Sequence, residues 1–147
     1  MKKAPLLFLY LILSLSIFAD NADIKDSANV RIDSLENLLY NSLSLNLSTS
    51  DKISICNQLS ELYDEKSWEK QIEYSSRSLV LAEETNDTKQ IIISLTLLSN
   101  AYRKLDNYEK GIEYATRLYS IQNANKNEIE AAKALSEIGS CYYDWSK

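Results

Sequence analysis

The apolar positions of this chain fall at helical intervals almost from end to end. After an unbroken apolar start, Ile32, Leu35, Leu38, Leu39 and Leu43 mark one stripe, Cys56, Leu59 and Tyr63 a second, and Leu95, Leu98 and Tyr102 a third. Offsets of three, four and seven place such residues on one face of a helix. The pattern also repeats itself. "WEKQIEYSSR" at 68–77 returns as "YEKGIEYATR" at 108–117 with six of ten positions identical. Upstream of each copy, and once more further on, an apolar residue is followed by Leu or Ile, then a small residue, then Tyr. The three versions are "CNQLSELY" (56–63), "LTLLSNAY" (95–102) and "LSEIGSCY" (135–142), with the tyrosines 39 and 40 residues apart. A period near forty holding two amphipathic segments predicts stacked antiparallel helix pairs.

Each repeat position carries a physical role. The small residue (Ser60, Ser99, Gly139) lets the partner helix approach, and Tyr63, Tyr102 and Tyr142 are expected in the core. In the second helix Trp68 or Tyr108 opens the apolar face, Ile72 or Ile112 continues it, and Gln71 or Gly111 takes the close-contact position, with Gln71 expected to loosen the first pair. Asp106 with Glu109 fits a capping box, Ser67 is the shorter equivalent cap in the first copy, and Ser48 with Asp51 suggests another helix start. "TNDTK" (85–89) and "NANKN" (123–127) are expected as linkers. The units are then 51–87, 88–127 and a partial 128–147, preceded by an N-terminal helix and linker over 20–50 whose apolar stripe, Ile32 to Leu43, covers the first pair.

These residues resemble the tetratricopeptide repeat, over about 51–147. "LTLLSNAYRKLDNYEKGIEYATRLYSI" matches that family's pattern well, and "CNQLSELYDEKSWEKQIEYSSRSLVLA" matches it with one residue fewer in the turn. The family's closing Pro is absent, and Gln71 replaces a small residue. The resemblance implies an all-α solenoid of helix pairs whose first helices line a concave, partner-binding face. Its facing rows would be Asn57, Thr96 and Ser136, then Glu61, Asn100 and Ser140, then Asp64, Arg103 and Tyr143. These rows are polar and of mixed sign, without the Lys/Asn cluster that members of the family use to clamp a terminal carboxylate. With the leader, the forty-residue period also resembles the exported N-terminal region of Bacteroidota-type repeat proteins that continue into sensor histidine kinases.

Composition narrows the reading. Met1-Lys2-Lys3, the run Leu6 to Phe18 and then Ala19 have the basic, apolar, small order of a secretory signal peptide over 1–19, with an uncleaved N-terminal anchor as the alternative. The apolar run is shorter than the ~20 residues of a spanning helix. An exported, extracytoplasmic location is therefore expected, with the membrane touched only through that segment. Beyond it the chain holds no Pro and two glycines, Gly111 and Gly139, which favours helices over tightly turned strands. The net charge of −5 argues against a nucleic acid partner. There is no His, so Ser-His-Asp and Cys-His nucleophile systems are excluded and nearly all zinc sites with them. Two glycines cannot build a phosphate loop. No enzymatic activity, cofactor or metal is expected. Cys56 and Cys141 lie two repeats apart, too far for a disulfide.

The expected function is a scaffold that binds a protein or peptide. The alternative is the sensory part of a signalling protein whose output domain lies elsewhere, because Lys147 interrupts the third unit. Leu135, Ile138, Tyr142 and Trp145 are expected to remain partly uncovered, so that the C-terminal end self-associates or frays.

Overall fold

The computed structural model describes residues 24–64 and 66–147, with side chains from 27 onward. The expected leader over 1–19 lies outside the described residues. The chain divides into two compact units, Met1–Ser34 and Leu35–Lys147. In the first, the described residues form the beginning of helix α1 (Ile24–Tyr40), with Ile32 buried. The second unit holds the end of α1 and the helices α2 (Thr49–Leu62), α3 (Trp68–Glu84), α4 (Thr88–Lys104), α5 (Tyr108–Ala124) and α6 (Glu128–Trp145). Among the described residues every regular element is an α-helix.

Local chemistry explains the helix boundaries. The helix start expected at Ser48 and Asp51 is that of α2, where the two form a capping box, and Ser67 accepts the Lys70 amide at the start of α3. At α5 the cap differs from expectation. Asn107 accepts the Lys110 amide at 3.2 Å, while Asp106 sits one residue earlier at φ 57°. The reason is a recurring reversal at the ends of α3, α4 and α5. Asn86, Asp106 and Lys126 are left-handed, and the amide after each bonds back to the helix: Asp87 to Ala82, Asn107 to Tyr102, Asn127 to Gln122. With the companion bonds from Asn86 to Glu83, Asp106 to Arg103 and Lys126 to Asn123, this is a Schellman motif without glycine. Asp106 is thus consumed in stopping α4, and Asn107 begins α5. The α2–α3 turn, whose Tyr-to-aromatic spacing is one residue shorter, contains no left-handed residue among those described.

Consecutive helices from α2 to α6 pack side by side. In addition the backbones of α2 and α4, and of α4 and α6, come within 8 Å of each other, whereas α3 and α5 meet through side chains, the Arg117 guanidinium pairing with Glu83. The stack is therefore tighter on the side of the first helices. Between them lies a core of Leu79, Leu95, Leu98, Leu118 and Ala134, with Ile72, Ile92, Tyr102 and Tyr114 against it. Burial of each Leu contributes roughly 1.5–3 kcal/mol.

The small positions do more than make room. Ser60 donates to the Gln71 carbonyl at 3.3 Å and Ser99 to the Gly111 carbonyl at 3.0 Å, one bond per pair at the same repeat position. At Gly111 an added Cβ would lie 3.1 Å from the Cys141 sulfur and 3.4 Å from the Ser99 carbonyl oxygen. Gln71 is buried at the matching position, with no hydrogen-bond partner for its Oε1. Such an orphaned acceptor carries a desolvation cost of about 1–3 kcal/mol.

The tyrosines separate into two groups. Tyr63 stacks on Tyr74 with centroids 5.8 Å apart, and Tyr102 on Tyr114 at 5.5 Å, both half-buried or deeper. Tyr142, a core position of the repeat but on the end expected to stay partly uncovered, is 56 % exposed and stacks on Trp145 of its own helix. Leu43 departs from expectation: it lies beyond α1 in the following turn and is exposed. Leu35 and Leu39 of the same stripe are buried as expected, and Glu36 beside them ties α1 to the first pair, its carboxylate accepting the Tyr63 hydroxyl at 2.8 Å and the Tyr74 hydroxyl at 2.7 Å. Those two bonds, the Tyr74 bond foremost, hold the Glu36 carboxyl below its ordinary range. Cys56 and Cys141 are free and buried, and burial pushes the Cys56 thiol up to about 11.

Candidate interaction face

The nine residues of the three facing rows stand on α2, α4 and α6 or just after them, and they differ widely in exposure. In the first row Asn57 is buried, and its Nδ2 donates to Gln90 Oε1 at 2.8 Å, tying α2 to α4. Thr96 is half-buried and bonds back to the Ile92 carbonyl at 2.9 Å, while Ser136 is exposed. In the second row Glu61 is exposed and Asn100 half-buried. Ser140 is half-buried and donates to the Ser136 carbonyl at 2.9 Å. In the third row Asp64 lies exposed in the turn after α2, and Tyr143 is 65 % exposed. Arg103 is half-buried and already engaged. Its Nη1 donates to Asp144 Oδ2 at 3.1 Å, and its Nε lies 3.9 Å from Glu137 Oε2.

That last pairing changes the role expected of Arg103. Asp144 is 41 positions away, one repeat plus a single residue, so the bond joins the inner helices of neighbouring units. The guanidinium holds the Asp144 carboxyl below its ordinary range, with Lys147 adding to the effect. The Nε–Glu137 approach is an ion pair without a hydrogen bond, and both atoms are buried. Arg103 thus resembles Asn57. Each spends its polar group on the joint between first helices, where leaving it unmet would be costly.

Four of the nine residues do come together. Arg103, Ser136, Ser140 and Tyr143 line an open groove of about 530 Å³ with Gly139 and Asp144. Gly139 opens the floor, since a Cβ there would meet no atom within 4 Å. The Tyr143 ring forms one wall, with the Lys147 ammonium 4.2 Å from its centroid. Asn57, Glu61, Asp64, Thr96 and Asn100 do not line it. Asp144, Glu137, Gly139 and Gln90 are the residues that sequence reasoning did not place on this face. The signal available for Asp144 was a carboxylate one repeat from an arginine on a matching helix.

Chemically the groove offers an aromatic surface, two hydroxyls and a guanidinium already shared with a carboxylate. Among the described residues no three His, Cys, Asp or Glu side chains are placed to hold a metal ion, and no helix is long and apolar enough to cross a membrane. Neither the family models nor the curated proteins contain a match to this chain.

Proposed function

We propose that this protein is a non-enzymatic scaffold of tetratricopeptide-like repeats, acting outside the cytoplasm, that binds a protein or peptide segment along α4 and α6. The observation that carries the reading is the groove of about 530 Å³ between Arg103 and Tyr143 on the tighter side of the helix stack. It is too open to enclose a small molecule and suits one or two side chains of an extended or helical segment. Tyr143 is the anchor, because exposed aromatic residues supply much of the binding energy at such surfaces. Arg103 contributes orientation: its charge is mostly spent on Asp144, so a strongly acidic ligand gains little from it. A neutral or basic segment fits the acidic chain better.

Selection of binders from a displayed random-peptide library tests this. The expected result is a set of peptides sharing a motif, with affinity lowered about tenfold or more by Tyr143→Ala. Ser140→Glu should block the same peptides. Tyr143 and Ser140 are the right choices because neither bonds across the helix joint, whereas Arg103→Ala would also leave Glu137 without its cation and Asp144 with Lys147 alone. Peptides that bind both variants as they bind the wild type would remove this face from consideration.

A further inference from the structure

The face that α3 covers on α2, and that α5 covers on α4, recurs on α6 as Ala132, Leu135, Gly139 and Tyr142. On α4 the matching residues are Ile92, Leu95, Ser99 and Tyr102, of which Leu95 and Ser99 are buried and the other two half-buried. On α6 all four are exposed, Leu135 by 50 % and Tyr142 by 56 %. Among the described residues no helix lies over this face. Intervals of three, four and three make it two turns of a coiled-coil seam, with small and large residues alternating.

We propose that this seam is covered by the same seam of a second copy, the two α6 helices running antiparallel about a two-fold axis. The pattern of sizes selects that arrangement. With the axis midway between Leu135 and Gly139, Leu135 of each copy faces Gly139 of the other, and Tyr142 faces Ala132. Every large side chain then meets a small one, and the backbone at Gly139, where nothing lies within 4 Å of an added Cβ, admits the Leu135 side chain of the second copy. A parallel pair would set Tyr142 against Tyr142 and leave Gly139 facing Gly139, crowding one layer and hollowing the other. The helix dipoles also favour the antiparallel arrangement, since they oppose. The seam continues, between molecules, the interface that the chain builds twice within itself, and it shares Gly139 with the Tyr143 groove on the adjacent face. One helix pair is a small interface, below the ~1,200 Å² of stable complexes, so the dimer is weak and concentration-dependent.

The test is sedimentation of the full chain over a concentration series. A reversible monomer–dimer equilibrium is expected, and Leu135→Glu should raise the dissociation constant about tenfold or more. Leu135 is half exposed, so the variant keeps its helical circular dichroism and its unfolding midpoint. Register is read separately by mixing Leu135→Cys with Gly139→Cys under mild oxidation. The mixed disulfide should exceed either homodimer, whereas a parallel seam would favour the homodimers. The proposal fails if the chain stays monomeric throughout, or if the association is insensitive to Leu135→Glu, as it would be if the apolar leader drove it. It also fails if a monomer instead takes up a synthetic peptide of residues 108–124, which would make an α5-like helix the occupant.

Discussion

Helices α4 and α6 carry the same sequence pattern at the same repeat positions, yet one lies in the core and the other faces water. Leu95 is fully buried and Leu135 half exposed, Ser99 donates to the Gly111 carbonyl while Gly139 has open space where a Cβ would stand, and Tyr102 stacks across the pair while Tyr142 stacks on its own helix. Pattern defines which face is apolar. Only a neighbour decides whether that face is worth anything to stability. The N-terminal side sharpens the point, because there Glu36 of α1 meets Tyr63 and Tyr74 with a carboxylate and closes the first pair with polar bonds.

The largest effect should separate the two leucines. Leu95→Ala removes a fully buried side chain and should cost about 2–5 kcal/mol in urea unfolding. Leu135→Ala at the same repeat position should cost under about 1 kcal/mol, because its cavity is open to solvent. Equal losses at dilute protein would mean that α6 is covered after all, and the contrast between the helices would collapse.

A smaller effect is expected at the closed end. Glu36→Gln keeps the shape of the side chain and loses the charge that strengthens both tyrosine bonds, which should cost about 1 kcal/mol near neutral pH. The direction with pH follows from the lowered folded-state pKa of Glu36, whose ordinary value is 4.5. Its contribution is complete above the unfolded value and disappears as pH falls through the lower folded value. Wild type should therefore lose more stability than Glu36→Gln between about pH 5 and about pH 3, and the two curves should converge in acid. Parallel curves over that range would show that the Glu36 charge contributes nothing to closing this end.

The smallest effect compares the two glycines. Gly139→Ala gains helix propensity with no steric conflict and should stabilise by about 0.5–1 kcal/mol. Gly111→Ala places its methyl 3.1 Å from the Cys141 sulfur and should fall short of that gain by about 1 kcal/mol or more. Thermal unfolding of both single variants measures the difference, and equal shifts would show that α5 and α6 are not in close contact.

The helices, their pairing period and several of their caps were legible in the amino-acid order, because helical spacing and the Ser48–Asp51 and Ser67 caps depend on residues three or four apart. The Asp106 cap was misread for a local reason as well: two adjacent residues, Asp106 and Asn107, both suit a cap, and the left-handed stop of α4 takes the first. What the sequence by itself determined is therefore an all-helical chain of repeated pairs and the set of residues on each helix face. Tertiary structure alone decided how those faces are used. Asn57 meets Gln90 across 33 positions and Arg103 meets Asp144 across 41, so two expected binding residues became joints between repeats. It also decided that Arg103, Ser136, Ser140 and Tyr143 share one groove while Asn57, Glu61, Asp64, Thr96 and Asn100 do not. The physical reason is that helix formation is governed by short-range periodicity, whereas the rotation and spacing of one helix pair against the next depend on side chains meeting across tens of residues.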